Sequence, residues 1–549
     1  MEALLSEFKE DLEEFREMTD KFYAKEVNVK TYKGFSGGFG SYAQRGGDAS
    51  MLRLRLPGGR LPKEKLKFVA EVIEKYQIDK AHFTTCQTIQ LHDLSAETVC
   101  EIMEKALEAG IITRGGGGDF PRNVMVSPLS GVETGEYFDV MPYVEAVSDF
   151  LLGKIKTVKM PRKLKVCFSN SPANAPHATF RDLGFTARLD GLFDVYGAGG
   201  LGNNPRMGVK VAQGVAPNEV LYYVQAMIDT FCAYGNYENR GKARTRYMVE
   251  ALGGEEAFRA AYLEKLARVR ENEKNVDVAG TAGDSGIAGT VKHGGITKVA
   301  GSVQNGRRAS LMLDVEANAV TKADAGVRIS GPRVIAQKQP GLYAVSYHPI
   351  GGLPLVTKFA ELYDCIKDME EVEIRIAPDE TIYIINLNGS EAERVLAVTE
   401  DGANSLLESS VSCVGASVCQ VGLRDSQGLL RNIIEAVSGE HFADGVLPRI
   451  HISGCTSSCG THQIGRLGFH GGVKRVDGVT KPAYTFHVNG REEQGEERFG
   501  EQWGSMLEEE IPDFFVELGR EISASGTTFE TWMEENPRRL REIAGKYLH

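Results

Sequence analysis

Residues 52–76, LRLRLPGGRLPKEKLKFVAEVIEKY, followed by residues 81–94, AHFTTCQTIQLHDL, carry the pattern on which the fold turns. The order predicts a strand, a Gly-Gly turn at Gly58-Gly59, an amphipathic helix and a further strand, a small α+β unit. The pattern returns at 343–366, YAVSYHPIGGLPLVTKFAELYDCI, and 373–387, EIRIAPDETIYIINL. Gly58-Gly59 and Gly351-Gly352 are 293 residues apart, and so are Thr88-Ile89 and Thr381-Ile382.

A second pair of segments follows in the same order. MPRKLKVCFSN (160–170) echoes LPRIHISGC (447–455), and RDLGF (181–185) echoes GRLGF (465–469). Chain order is thus small unit, large unit, linker, small unit, large unit. The glycine-rich stretch 278–306 lies where a linker between the halves belongs. An internally duplicated α+β chain with a pseudo-twofold axis is expected, with a site near the axis drawing on both halves. The expected divisions are 1–113, 114–335, 336–400 and 401–549.

Length and composition narrow the class. The chain has 549 residues, 42% hydrophobic and 25% charged, as in ordinary globular proteins. At about 150 residues per domain this gives a prior of roughly 3–4 domains. A formal net charge of -12 argues against a protein built to hold nucleic acid. No apolar run approaches the ~18 residues of a membrane span, and the acidic N-terminus does not read as a signal peptide. Nine cysteines without a dense framework point to a reducing compartment, so a cytoplasmic protein is expected.

Four of those cysteines form two tight pairs: Cys413 and Cys419 in SCVGASVC, Cys455 and Cys459 in GCTSSCG. Four thiolates in two loops can enclose zinc or an iron–sulfur cluster. The five-residue gap in the first pair is wide for a zinc knuckle, whereas a cubane has corners several ångströms apart. Small residues between the ligands let backbone N–H groups approach cluster sulfurs. A structural zinc site in a non-catalytic protein, or four unliganded cysteines, are the alternatives.

This arrangement, with GCxxxCG running into an L-G-F stretch, resembles the ferredoxin-dependent sulfite and nitrite reductases over nearly the whole chain. The resemblance implies two ferredoxin-like units and two larger α/β units that bind siroheme and a [4Fe–4S] cluster. Metal ligands would be Cys413, Cys419, Cys455 and Cys459, with Cys459 bridging cluster and siroheme iron. The implied reaction is six-electron reduction of sulfite to sulfide by an external ferredoxin-like donor. Nitrite reduction to ammonium is the alternative, and a corrinoid-pathway enzyme that keeps the cluster is a further one. The resemblance does not give the oligomeric state.

Reducing an oxyanion requires cations that hold it and deliver protons. Lys163 and Lys165 in MPRKLKV fall on one face of an extended segment. By resemblance both face substrate, and Arg122 in DFPRNVMVSP joins them as the third catalytic residue. Retention of Lys165 leans toward sulfite. Thr84, Thr85, Cys86, Gln87, Gln90 and His92 correspond to the family's cofactor-facing TTRQ segment, along with Asn123. Cys86 stands where the family has arginine; it supplies neither permanent charge nor a guanidinium fork. Arg114 is a cation that could move into its place. The turn 197–202, GAGGLG, satisfies a dinucleotide fingerprint but runs into Asn203-Asn204-Pro205 instead of a helix. The family places such a turn against the macrocycle, which assigns Gly199 and Gly200 to the cofactor. Arg240, with Arg244 and Arg246, is expected to meet siroheme carboxylates or an acidic donor.

Overall fold

The computed structural model describes residues 2–279, 311–313, 320, 322 and 326–549. Most of the stretch read as a linker therefore lies outside the described residues. Each small unit forms as its pattern predicts. In the first, strand Ser50–Leu54 leads through Pro57–Gly59 into helix Lys63–Lys75, then strands Ala81–Phe83 and Ile89–Leu94 and helix Ala96–Glu108. The last helix is started by Ser95, whose hydroxyl accepts from the Thr98 N–H (3.1 Å). In the second, strand Tyr343–Tyr347 leads through Ile350–Gly352 into helix Lys358–Ile366, strands Glu373–Ile376 and Ile382–Leu387, and helix Gly389–Val398. Asn388 and Glu391 form a capping box at that helix.

The two small units are one packed body. Buried Leu52, Leu54, Val69 and Ile89 share a core with Val345, Ile366, Ile374 and Ile384. Strand Arg60–Leu61 of the first unit pairs antiparallel with Glu373–Ile376 of the second. The Gly-Gly turns permit this closeness: a Cβ on Gly59 would sit 2.3 Å from the Ile376 carbonyl oxygen, and one on Gly352 2.8 Å from that of Phe83.

The large units share one topology. Strands Met125–Val126, Val166–Ser169 and Leu183–Ala187 run parallel, then Phe193–Gly197 and Val209–Val215 add antiparallel. In the second copy Val411–Ser412, Ile450–Ser453 and Leu467–Val476 run parallel, then Val479–Val488 and Glu501–Leu507 add antiparallel. Each sheet has its own core, one including Phe168, Phe185 and Phe193, the other Phe469, Phe486 and Phe515. The α+β class and the internal duplication are both present. No helix among the described residues is long and apolar enough to cross a membrane.

Candidate active site

The cysteine loops sit where the second large sheet meets the first small unit. The Gly454 N–H donates to Cys413 Sγ (3.1 Å), and Ser426 Oγ lies 3.2 Å from the same sulfur. Arg45 clamps the Cys413–Cys419 loop: its N–H donates to the Val418 carbonyl (2.9 Å) and its guanidinium to that of Gly422. Thr85 Oγ1 donates to the Cys459 carbonyl (2.7 Å), which ties the other loop to the first half. All nine cysteines are free thiols. Burial pushes the Cys413 thiol up to about 12, with the neighbouring Cys459 adding to it. Cys459 is exposed, yet the protein packed around its sulfur raises the thiol despite the nearby Lys163.

Cations gather beside Cys459. Leu164 and Val166 are buried while Lys163 and Lys165 point to the opposite face, as alternation along an extended segment requires. Asp182 orders the group: it accepts from the Lys165 N–H (2.8 Å), from Arg244 Nη2 (2.9 Å) and from the Thr245 hydroxyl. Burial, then repulsion from Arg244, Lys165 and Arg122, holds the Lys163 ammonium well below its ordinary value. Lys165 is lowered too, burial again leading. Arg122 donates to the carbonyls of Gly116 (2.7 Å) and Gly118 (3.0 Å), and burial brings it down to about 10.

Cys86 faces Lys165, with Nζ 3.3 Å from Sγ. Burial raises the thiol, but Lys165, Arg181 and Arg53 outweigh burial and bring it down to about 6. The surroundings therefore favour the thiolate more than at an ordinary cysteine, whereas an arginine here would add positive charge. Arg114 does not fill the gap: it pairs with Asp11 (3.2 Å) and lies over the Phe39 ring.

Other expected cofactor residues do supporting work. Gln87 is fully buried and donates to the carbonyls of Val126 (3.0 Å) and Ile376 (2.8 Å). Thr84 bonds Thr88 (2.7 Å), and Asn123 donates to the carbonyls of Leu56, Cys86 and Gln87. His92 bonds Gln44 (3.1 Å), next to the Arg45 clamp, and burial pushes it down to about 3. Gln90 lies against Arg53, whose guanidinium its amide oxygen can satisfy. Arg240 is 64% exposed in its side chain and pairs with Asp119 (2.6 Å), a carboxylate it shares with Arg162 (2.7 Å).

Arg53, Arg181 and the Arg45 clamp were not singled out by sequence. Arg181 stands in RDLGF, a segment read only as a repeat marker. Only the fold shows that this strand entrance faces Cys86.

The residues present fit a polyanionic, flat cofactor beside a cluster. Buried N–H groups of Arg122, Arg244 and Arg246 have no partner, which signals missing acceptors such as carboxylates. The 197–202 turn brings bare backbone to the same place: a Cβ on Gly200 would lie 3.2 Å from Arg246 Nη1, and one on Gly202 3.7 Å from the Ser457 carbonyl oxygen. Gln463 and Gly202 exchange two hydrogen bonds (3.1 and 2.8 Å), which joins this turn to the segment after Cys459. Thiolates around one zinc lie about 3.8 Å apart, from Zn–S of about 2.3 Å. Among the described residues no three of the four cysteine sulfurs are grouped closely enough to share one ion.

Comparison with known proteins agrees. Residues 117–269 match the nitrite and sulphite reductase 4Fe-4S domain, and residues 42–109 match the nitrite/sulfite reductase ferredoxin-like half domain. The assimilatory ferredoxin-dependent nitrite reductase of Haloferax mediterranei is 25% identical over 97% of this chain and 90% of its own length. Sulfite reductase [ferredoxin] 1 of Mycolicibacterium paratuberculosis is 22% identical over 88% of this chain and 81% of its own. The Mycobacterium tuberculosis NirA structure superposes with a TM-score of 0.71 at 21% identity, covering 95% of this chain and 93% of that one, which shows a common fold. The chain belongs to the ferredoxin-dependent sulfite and nitrite reductase family.

Proposed function

We infer that the protein reduces sulfite to sulfide by six electrons, using siroheme and a [4Fe–4S] cluster and taking electrons from a ferredoxin-like donor. The observation that carries this reading is the buried group of under-paired cations facing the Cys455–Cys459 loop. Cys413, Cys419, Cys455 and Cys459 would hold the cluster, with Cys459 the ligand nearest the cations. When bound, the two groups supply single-electron transfer and an iron centre for the substrate. Arg244, Arg246 and the glycine turn would seat the macrocycle and its carboxylates.

Lys163, Lys165 and Arg122 attract the anion to a place where protein replaces much of the water, so their charges act at low screening. Lys163 is the readiest proton donor, because burial and like-charged neighbours weaken its hold on the proton. Its transfer to a departing oxygen relieves repulsion within the cation group. A cytoplasmic location belongs to this reading, because nine cysteines without a dense framework suit a reducing compartment.

Nitrite is the second reading, and Cys86 is the observation that favours it. Its thiolate cancels part of the Lys165 charge, which suits a monoanion better than the more highly charged sulfite. The relatives' names include both nitrite and sulfite reductases. The test is turnover of the anaerobic holoenzyme with reduced ferredoxin and each anion. A higher kcat/KM for sulfite supports the first reading, and a higher value for nitrite replaces it with the second. Purified protein without siroheme absorption, or turnover with NADPH alone, would overturn both.

A further inference from the structure

His462, His470 and His487 meet on one face of the second large sheet, with one ligand atom from each lying within 4.8 Å of the others. Their ring centroids form a nearly equilateral triangle with sides of 4.8, 4.8 and 5.0 Å. The fold explains how three imidazoles reach one point. Gly468 is opposite His487 in the strand pair, and His470 lies two residues farther along on the same face. Gly468 leaves the sheet bare there, and the segment carrying His462 crosses it: a Cβ on Gly468 would sit 1.9 Å from the His462 carbonyl oxygen.

The first large unit supplies an internal control. Gly184 occupies the matching place, with the Ala178 carbonyl oxygen 1.8 Å from where its Cβ would be, and Tyr196 is opposite it. The positions matching His462, His470 and His487 are Ala178, Thr186 and Tyr196. The scaffold itself therefore does not call for histidine. All three positions carry it only in the second copy.

Polar bookkeeping also leaves a gap. His462 and His487 are each 1% exposed. His470 Nδ1 and His487 Nε2 share one hydrogen bond (2.8 Å), while His462 Nδ1 is buried without a partner. A buried polar atom without a partner calls for an unseen one.

We propose that His462, His470 and His487 form a binding site for a divalent cation of borderline softness, with zinc as the best match. Three imidazoles with an open fourth position form a standard zinc ligand set. Bound zinc requires nitrogens about 3.3 Å apart, from Zn–N of about 2.0 Å, so the trio closes by small ring movements. Burial keeps all three imidazoles lowered, with neighbouring rings adding to it at His462 and at His487, which is at about 4, and this favours the neutral, ligating form. His470 is only half-buried and opens a path from solvent. An ion here would pin the chain that leaves Cys459 through Gly460 and Thr461 onto the sheet. This assignment is independent of the substrate and of the cysteine site.

The test uses tag-free holoenzyme with its iron in place, stripped of loose metal and dialysed against low-micromolar zinc. The expected result is one zinc per chain, with a nitrogen/oxygen shell at about 2.0 Å in zinc-edge X-ray absorption. His470→Ala and His487→Gln should each weaken zinc binding at least about 100-fold with iron content unchanged. Zinc should raise the unfolding temperature of the wild type but not of either variant. A sulfur shell at about 2.3 Å would place the metal on cysteines and overturn the proposal. Failure of the wild type to retain zinc, or unchanged affinity in both variants, would reduce the trio to neutral ring packing. The wild-type spectrum decides the ligand type even if a variant folds poorly.

Discussion

The turn at 84–88 and the turn at 377–381 have the same backbone, but their surroundings differ in charge balance. In one the Thr84 N–H bonds the Thr88 carbonyl (3.0 Å), and in the other Ala377 bonds Thr381 (2.7 Å). Gln87 and Glu380 both sit at positive φ, and each accepts from a strand N–H of its large unit, Val126 at 2.8 Å and Ser412 at 3.0 Å. The next-door residues diverge: Cys86 faces Lys165, whereas Asp379 faces Arg449 (2.5 Å). Around Asp379 lies a cavity of about 410 Å³, where His177 also meets Glu492 (2.6 Å). There the cation has a carboxylate from the chain. Around Cys86, Arg122, Arg244 and Arg246 keep unpartnered N–H groups. Duplication therefore produced two similar frames, one whose turn presents a carboxylate to a cation and one whose turn presents a thiol.

The comparison can be broken at its strongest point first. Lys165→Met should lower kcat by about 10²–10³, or ~2.7–4 kcal/mol, if this cation serves the reaction. It should also raise the Cys86 thiol, which loses the largest of its stabilising charges. A steady-state assay and thiol alkylation against pH measure the two effects; unchanged kcat would undo the distinction between the sites.

On the balanced side, Asp379→Asn should leave kcat near wild type and destabilise the fold by ~1–3 kcal/mol. That is below the full cost of breaking a buried pair, because both partners reach the cavity. Burial pushes the Asp379 carboxyl up, but Arg449 and His348 bring it down to about 2. A depressed carboxyl stabilises above its unfolded value of about 4 and loses that contribution as pH falls through about 2. Denaturation of both proteins across pH should show their difference shrinking over that window.

Cys86→Arg restores a cation where the chain has a thiolate. Sulfite affinity should rise about tenfold, in line with ~1.5 kcal/mol for one charge-assisted hydrogen bond. Nitrite should gain less, and equal or weaker sulfite binding would show that Cys86 does not set anion preference. The smallest effect is expected from Arg240→Ala. Its exposed pair with Asp119 contributes below ~1 kcal/mol, and siroheme content should be unchanged. Lost siroheme would extend the unbalanced site out to Arg240.

Spacing favoured the cluster over zinc for the four cysteines without showing how their loops are held. Sulfur–sulfur separations depend on how the loops are held, and Arg45 and Thr85 from the other half help hold them. Lys163 and Lys165 were legible because alternation along an extended segment is local. Arg53 and Arg181 were not, because an arginine in a strand looks the same whether it faces solvent or a site. Gln87 and His92 were assigned to the cofactor by resemblance, yet their side chains tie backbone and the Arg45 clamp together.

The sequence by itself determined the repeated units, their order and the four-cysteine pattern. Hydrophobic period, turn glycines and ligand spacing act over a few residues, and the repeats keep their order along the chain. Tertiary structure decided which charges remain unpaired. That depends on residues far apart in sequence, such as Lys165 and Cys86 or Arg449 and Asp379, meeting in a setting where water no longer screens them.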